Sequence, residues 1–212
     1  MFYHHKKPNL SLILFALLMI SCANDEYLVP NSSNEVTPLL IGSSIPDITL
    51  TDTNGETVNL NEISTQRTLF VFYRGGWCPF CSAELAELAI IEDDLYARGI
   101  TVVGISPDKP EFLRESLNET ESEYTLLSDS SMDAAKAFGI AFRVDQQTVL
   151  NLKKNGMDIA ARAGKDHHLL PVPSVFLTNS EGVIQFQYVN PDYKTRVSHS
   201  VLLAAVDAML NL

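Results

Sequence analysis

From residue 45 onward the apolar positions fall into short blocks of alternating character. Ile48-Thr49-Leu50 reads as a brief strand, Asn54-Gly55 as a tight hairpin turn, and 56–60 as the returning strand. Residues 68–73 are almost continuously apolar, the pattern of a strand covered on both faces. In 79–98, Leu85, Leu88, Ile91 and Leu95 recur at spacings of three and four. That spacing predicts one long helix with a core-facing stripe, with Glu84, Glu87, Asp93 and Asp94 off the stripe and Gly99 stopping it. Residues 100–105 form the next buried strand, so 68–105 is a βαβ crossover. Further on the pattern predicts a helix over 110–117, a strand over 124–127, and a helix over 131–138 capped by Asp129-Ser130 and ended by Gly139. Strands at 174–178 and 183–189 flank a turn at 179–182, and 198–210 is a closing amphipathic helix. Residues 141–170 lack clear periodicity and read as an insertion with short helical pieces. The expected class is α/β: a central mixed sheet flanked by helices, opened by a β-hairpin, with an insertion before the strand that Pro173 precedes.

The first 40 residues carry a different pattern. Lys6 and Lys7 precede an apolar run from 10 to 20 broken only by Ser11. Spanning a bilayer as a helix takes about 20 apolar residues, so this run fits a secretory signal better than an anchor. It ends in Met19-Ile20-Ser21-Cys22, which resembles a bacterial lipobox. The expectation is a signal peptide over 1–21, a lipidated Cys22, a flexible tether over 22–40 and one domain over 41–212. Acyl chains on Cys22 would hold the protein to a membrane of the bacterial cell envelope, on its extracytoplasmic side, without spanning it. A plain signal peptide with an incidental cysteine is the alternative.

With 212 residues, 46% of them hydrophobic, the chain can build one sizeable core and is not a disordered segment. A formal charge of -11 excludes nucleic acid as the main partner, because binding phosphates needs a basic face. Three cysteines are too few for a disulfide-stapled scaffold.

The candidate chemistry lies at Trp77-Cys78-Pro79-Phe80-Cys81, between a buried strand and the start of an amphipathic helix. A thiol there meets unpaired backbone N–H groups and the positive end of the helix dipole, and both favour the thiolate. Two intervening residues let the second sulfur close a disulfide that can be reopened. Zinc would need two more ligands, and His167-His168, being adjacent, rarely share one metal. A disulfide closing so short a loop would add little stability. Redox chemistry at Cys78 and Cys81, with no metal, is therefore the reading of these residues.

At this point the sequence resembles the thioredoxin-like superfamily, and within it the alkyl hydroperoxide reductase/thiol-specific antioxidant (AhpC/TSA) group. The resemblance rests on Ile45-Pro46-Asp47 through Asn54-Gly55-Glu56, on Phe72-Tyr73-Arg74-Gly75-Gly76-Trp77-Cys78-Pro79-Phe80-Cys81 and on Val103-Gly104-Ile105-Ser106-Pro107-Asp108. Leu127-Ser128-Asp129, 135–139 and Pro173-Ser174-Val175-Phe176-Leu177 extend it. It implies a thioredoxin-like fold and peroxiredoxin-like reduction of hydroperoxides through Cys78 and Cys81, regenerated by a thioredoxin-like reductant. A typical peroxiredoxin carries Pro-x-x-x-Thr-x-x-Cys. Laid on this chain, that pattern puts Arg74 at the proline, Cys78 at the threonine and Cys81 at the peroxidatic cysteine. Peroxiredoxins also place an arginine before the strand at 174–178, where this chain has Pro173 and thioredoxins have a cis-proline. Arg74 is then a candidate cation for a thiolate or a peroxide, and Trp77 a candidate shield and docking surface.

Two mechanisms remain open. Either Cys78 attacks and Cys81 resolves, or Cys81 attacks peroxide and Cys78 condenses with the sulfenic acid. Two other functions stay in view: a thiol-disulfide oxidoreductase acting on protein disulfides, and a redox-linked binding protein with little turnover. No dinucleotide fingerprint points to a cofactor. His167 and His168 could reach the mouth of the site, although a solvated loop pair is the plainer reading. Asp192-Tyr193 reads as a turn and Glu92-Asp93-Asp94 as a solvated helix face.

Overall fold

The computed structural model describes residues 28–120 and 125–211. Cys22, the signal segment and Tyr124, the first residue of the expected strand at 124–127, lie outside them. In chain order the elements are β1 (Thr49–Asp52), β2 (Thr57–Asn59), α1 (Leu60–Ile63), β3 (Arg67–Phe72), α2 (Pro79–Ile90), α3 (Glu92–Ala97), β4 (Ile100–Ser106) and α4 (Pro110–Thr120). There follow β5 (Thr125–Ser128), α5 (Asp133–Ala137), β6 (Ala141–Arg143), α6 (Gln146–Lys154), α7 (Ile159–Ala163), β7 (Leu169–Pro171), β8 (Ser174–Thr178), β9 (Ile184–Val189) and α8 (His199–Leu210). Among the described residues seven strands form one mixed sheet in the order β2-β1-β5-β4-β3-β8-β9, and β6 and β7 make a separate ribbon. β3 runs parallel to β4 and antiparallel to β8. The fold is the expected α/β arrangement with a thioredoxin-like sheet.

β3 shows why its sequence is apolar on every position from Leu69 onward. Leu69, Val71 and the following Tyr73 pack into a core with α2 and α8, while Phe70 and Phe72 face a second core with Phe138 and Phe176. A strand in mid-sheet with a core on each face has no polar side to keep. The register pairs Phe72 with Ser174. The loop leaving β3 and Pro173, which enters β8, therefore lie side by side.

Several expectations are corrected. The helix predicted over 79–98 breaks at Ile91, whose backbone turns to φ -105°, ψ 7°. The break keeps Ile91 and Leu95 buried as Leu85 and Leu88 are, while Ile90 stays 78% exposed. Glu92, Asp93 and Asp94 then form the first turn of α3, where carboxylates are favoured by the helix dipole. Glu92 is buried, so only Asp93 and Asp94 make the solvated face expected of all three. The return strand ends at Asn59, whose side chain accepts from the Asn61 N–H and starts α1 at Leu60. The insertion is more ordered than its pattern suggested: α6 and α7 are held between the two strands of the β6–β7 ribbon. Residues 28–40, expected to be the end of a free tether, lie against the domain. Leu39 N–H donates to Phe138 O, Arg143 N–H to Pro30 O, and Val29, Val36 and Leu39 cover the second core. Asp129 caps as expected, accepting from the Ala134 and Ala135 N–H groups, although α5 starts only at Asp133.

Candidate active site

The loop from β3 to α2 is built on two glycines. Gly75 has φ +137°, and a Cβ there would lie 2.4 Å from Trp77 Nε1. A Cβ on Gly76 would lie 2.1 Å from Ser116 Oγ. The Cys78 N–H donates to Gly75 O at 3.1 Å, and Ser82 Oγ donates to Gly76 O at 2.8 Å. From beyond β4, Asp108 fixes the loop by accepting the Gly76 N–H at 3.0 Å. The same buried carboxylate takes both arms of Arg162 in α7, at 2.9 and 2.8 Å. The inserted helix is thus tied to the cysteine-bearing loop by a bidentate charge pair.

Cys78 is the N-cap residue of α2 and Pro79 its first helical residue. Proline suits that position because its missing N–H would have had no partner. Cys78 and Cys81 are reduced and buried. The Cys78 thiol is lowered to about 6: the Cys81 thiol donates to its sulfur, the Cys81 and Phe80 N–H groups point at it, and Arg74 adds positive charge, all against the cost of burial. Cys81 moves the other way, well above the ordinary thiol range, because it gives its hydrogen bond to Cys78, is buried and would sit beside a second negative charge. The pair shares one proton to lose, and it comes off Cys78.

Each sulfur has its own arginine, and the two differ. Arg74 is sandwiched between Trp77 and Tyr193, its guanidinium carbon 5.0 and 4.3 Å from the ring centres. It is 8% exposed, its Nε lacks a hydrogen-bond partner, and among the described residues it forms no ion pair. Its charge is free to act on Cys78. Arg196, in the segment leading into α8, places Nη2 3.5 Å from Cys81 Sγ and Nε 2.5 Å from Glu84 Oε2. Glu84 is buried and its carboxyl is raised to about 7 by burial, with Arg196 pulling the opposite way. Pro173 lines a cavity of about 180 Å³ with Arg74, Tyr193, Pro191, Phe142 and Val172. The peptide bond before Pro173 is trans, so the likeness to thioredoxins at that position stops at residue type.

Residues 41–187 match the AhpC/TSA family. Peroxiredoxin Bcp of Escherichia coli K12 is 31% identical over 166 residues, covering 78% of this chain and 94% of that protein. The chain belongs to the AhpC/TSA family. It is accordingly an oxidoreductase and a peroxiredoxin relative. Among solved structures, reduced Prx3 from Vibrio vulnificus superposes with a TM-score of 0.65 at 17% identity, over 80% of this chain and 99% of that one. Peroxidoxin BcpB from Mycobacterium tuberculosis gives 0.62 at 18% identity, over 80% and 97%. These two carry the fold alone.

For this family member the structure brings Arg74, Trp77, Cys78, Cys81 and Pro173 to one end of β3 and β8. It leaves the histidines out. His167 Nε2 donates to Ser130 O and its Nδ1 accepts the Leu169 N–H, both at 3.0 Å, so both ring nitrogens are engaged in holding a loop. Burial lowers its pKa. His168 lies beside Asp166 instead. Three site residues escaped the sequence reading: Tyr193, Arg196 and Glu84. The turn at Asp192 forms, with its carboxylate accepting from Lys194 N–H and Thr195 Oγ, and it aims Tyr193 at Arg74. Glu84 was expected off the core stripe. Its spacing carried the signal, since a residue three after Cys81 shares its helix face. Nothing in the spacing pointed to Arg196. Among the described residues no three His, Cys, Asp or Glu side chains gather as a metal site would require.

Proposed function

We propose that this protein is a thiol peroxidase that reduces hydroperoxides through Cys78 and Cys81. The Cys78 thiolate attacks the terminal peroxide oxygen, the O–O bond breaks, and the alkoxide or hydroxide leaves, taking back from solvent the proton that the Cys78 thiol had released. Cys78 is then a sulfenic acid. The Cys81 sulfur attacks it, a disulfide forms and water leaves. A dithiol partner of the thioredoxin type reduces the disulfide through a mixed disulfide. The observation that carries this reading is the asymmetry of the pair: one ionised sulfur at a helix N-terminus beside an unpaired arginine, and one protonated sulfur behind it. The E. coli relative is named a peroxiredoxin, which favours peroxide over protein disulfides as the oxidant.

The direct test mixes peroxide with the two single-cysteine variants. Cys78→Ser should lose the first oxidation by three orders of magnitude or more. Cys81→Ser should keep one turnover and stop as a sulfenic acid. The reverse pattern assigns attack to Cys81. Reduction of insulin disulfides without peroxide consumption would replace the peroxidase with a disulfide oxidoreductase. A partner trapped by Cys81→Ser, with neither substrate turned over, would leave a binding role. We further propose that Met19-Ile20-Ser21-Cys22 directs lipidation of Cys22 and places the domain at the bacterial envelope. Mass spectrometry of the mature N-terminus tests this: diacylated Cys22 supports it, and an intact or differently cleaved start overturns it.

A further inference from the structure

The Nε–Nη2 edge of an arginine normally receives both oxygens of one carboxylate. In Arg196 that edge is shared: Nε meets Glu84 Oε2 and Nη2 meets Cys81 Sγ. Two acceptors on one guanidinium edge are neighbours, and Cys81 and Glu84 are also three residues apart on α2. Both are buried, and Glu84 and Arg196 are 8% and 13% exposed, so bulk water is a poor acceptor for the Cys81 proton. Yet Cys81 must lose that proton before it can attack Cys78.

We propose that Glu84 is the general base for the resolving thiol and that Arg196 is the cation that follows the charge from carboxylate to sulfur. This rests on Cys78 attacking first, as proposed above. In the resting site Arg196 is neutralised by Glu84, and Cys81 keeps its proton. During resolution the Cys81 proton passes to Glu84 Oε2, and Arg196 exchanges a carboxylate partner for a thiolate partner without leaving its place. The Cys81 thiolate then attacks the Cys78 sulfur, an S–S bond forms, and the group on Cys78 departs with the bonding electron pair. When that group is hydroxide, Glu84 returns the proton and water leaves, so the step is balanced internally. The remaining charges around Glu84 are accounted for. Cys78 and Glu87 raise its pKa, and His199 of α8 lies 3.5 Å from Glu87. Its ordinary range has moved to about 7, which suits a group that must both take and return a proton.

A test without peroxide separates this proposal from the peroxidase reading. The reduced full-length protein is mixed with 5,5′-dithiobis(2-nitrobenzoate), a symmetrical aromatic disulfide that releases a coloured thiolate at each exchange. The first release reports Cys78 attack; the second reports Cys81 displacing the remaining aryl thiolate. In the wild type the first rate should rise with a midpoint near 6, and the second with a separate midpoint at or below about 7, because Glu84 no longer faces a charged Cys78. In Glu84→Gln the ratio of second to first rate should fall at least tenfold, and that second midpoint should vanish. Arg196→Met should lower that ratio similarly, and Arg196→Lys should restore part of it. An unchanged ratio and midpoint in Glu84→Gln overturn the proposal, as does loss of the first release in Cys81→Ser rather than in Cys78→Ser. Should Glu84→Gln fail to fold, Glu84→Asp and the wild-type profile decide: a second rate that climbs with pH through the thiol range, with no earlier midpoint, overturns the carboxyl base. Two intact releases in a protein that ignores peroxide would sink the peroxidase reading and leave this one standing.

Discussion

Cys78 and Cys81 sit three residues apart at one helix end, and each has a guanidinium within electrostatic reach. They nevertheless ionise in opposite directions, Cys78 downward to about 6 and Cys81 upward. The first cause is the hydrogen bond that Cys81 gives to Cys78, followed by burial; the arginines add to this, and they differ in what else they touch. Arg74 is held by two aromatic rings, which attract the cation without neutralising it. Arg196 is held by Glu84, which neutralises it. A carboxylate paired with a buried cation weakens, without abolishing, the cation's pull on a nearby thiol. Counting arginines near a sulfur is therefore a poor guide to which sulfur is the nucleophile.

The largest effect should come from the scaffold common to both sulfurs. Asp108→Ala strips Arg162 of its partner and frees the Gly76 N–H. Breaking such a buried pair costs about 3–5 kcal/mol, so the denaturant midpoint should drop clearly, and alkylation of both cysteines should slow together. If only stability changes, the loop is held by its glycines alone. The next effect follows from pH. The folded pKa of Cys78 lies below that of an unfolded thiol, about 8.5. Its stabilisation is therefore present above about 8.5 and is lost as pH falls through about 6. Glu84 has the opposite sign: its folded pKa is raised, so its contribution is present in acid and lost as pH rises through about 7. The stability of reduced wild type relative to Cys78→Ala should grow by on the order of 2 kcal/mol between pH 5.5 and 9. A flat difference would mean that the two sulfurs are not distinguished.

Arg74→Met sharpens the comparison further. Removing one nearby unpaired charge should raise the Cys78 midpoint by about one pH unit, so iodoacetamide alkylation at pH 6 should fall about fivefold. Cys81 should hardly respond. The smallest effect belongs to Tyr193→Ala, which removes one ring of the sandwich and the edge contact to Phe80. A cation–π contact is worth about 0.5–1 kcal/mol, so the same alkylation rate should fall about two- to fourfold. A loss as large as that in Arg74→Met would show that Tyr193 sets the position of Arg74 rather than merely favouring it.

The order of the main strands, the crossover and the thiol pair at the start of α2 could be read along the chain. Each depends on neighbours in sequence: an unbroken apolar run from Leu69 to Tyr73 and a proline after Cys78. The break at Ile91 could not be read that way, because the apolar stripe continues through it and only the sheet beneath decides how the helix must turn to follow it. The ordering of 28–40 and of the insertion depends on surfaces built by distant residues such as Phe138 and Asp108. The same holds for the site. That Cys78 and Cys81 stand together as a thiol pair at the start of a helix was a local property, since helix N-terminal N–H groups act on whatever thiol stands there. Which of the two ionises depends on their own hydrogen bond and then on burial, which the tertiary structure supplies. The arginines that add to it are placed by Tyr193 and Glu84, 119 and 112 residues away, and electrostatic energy follows distance in space rather than along the chain.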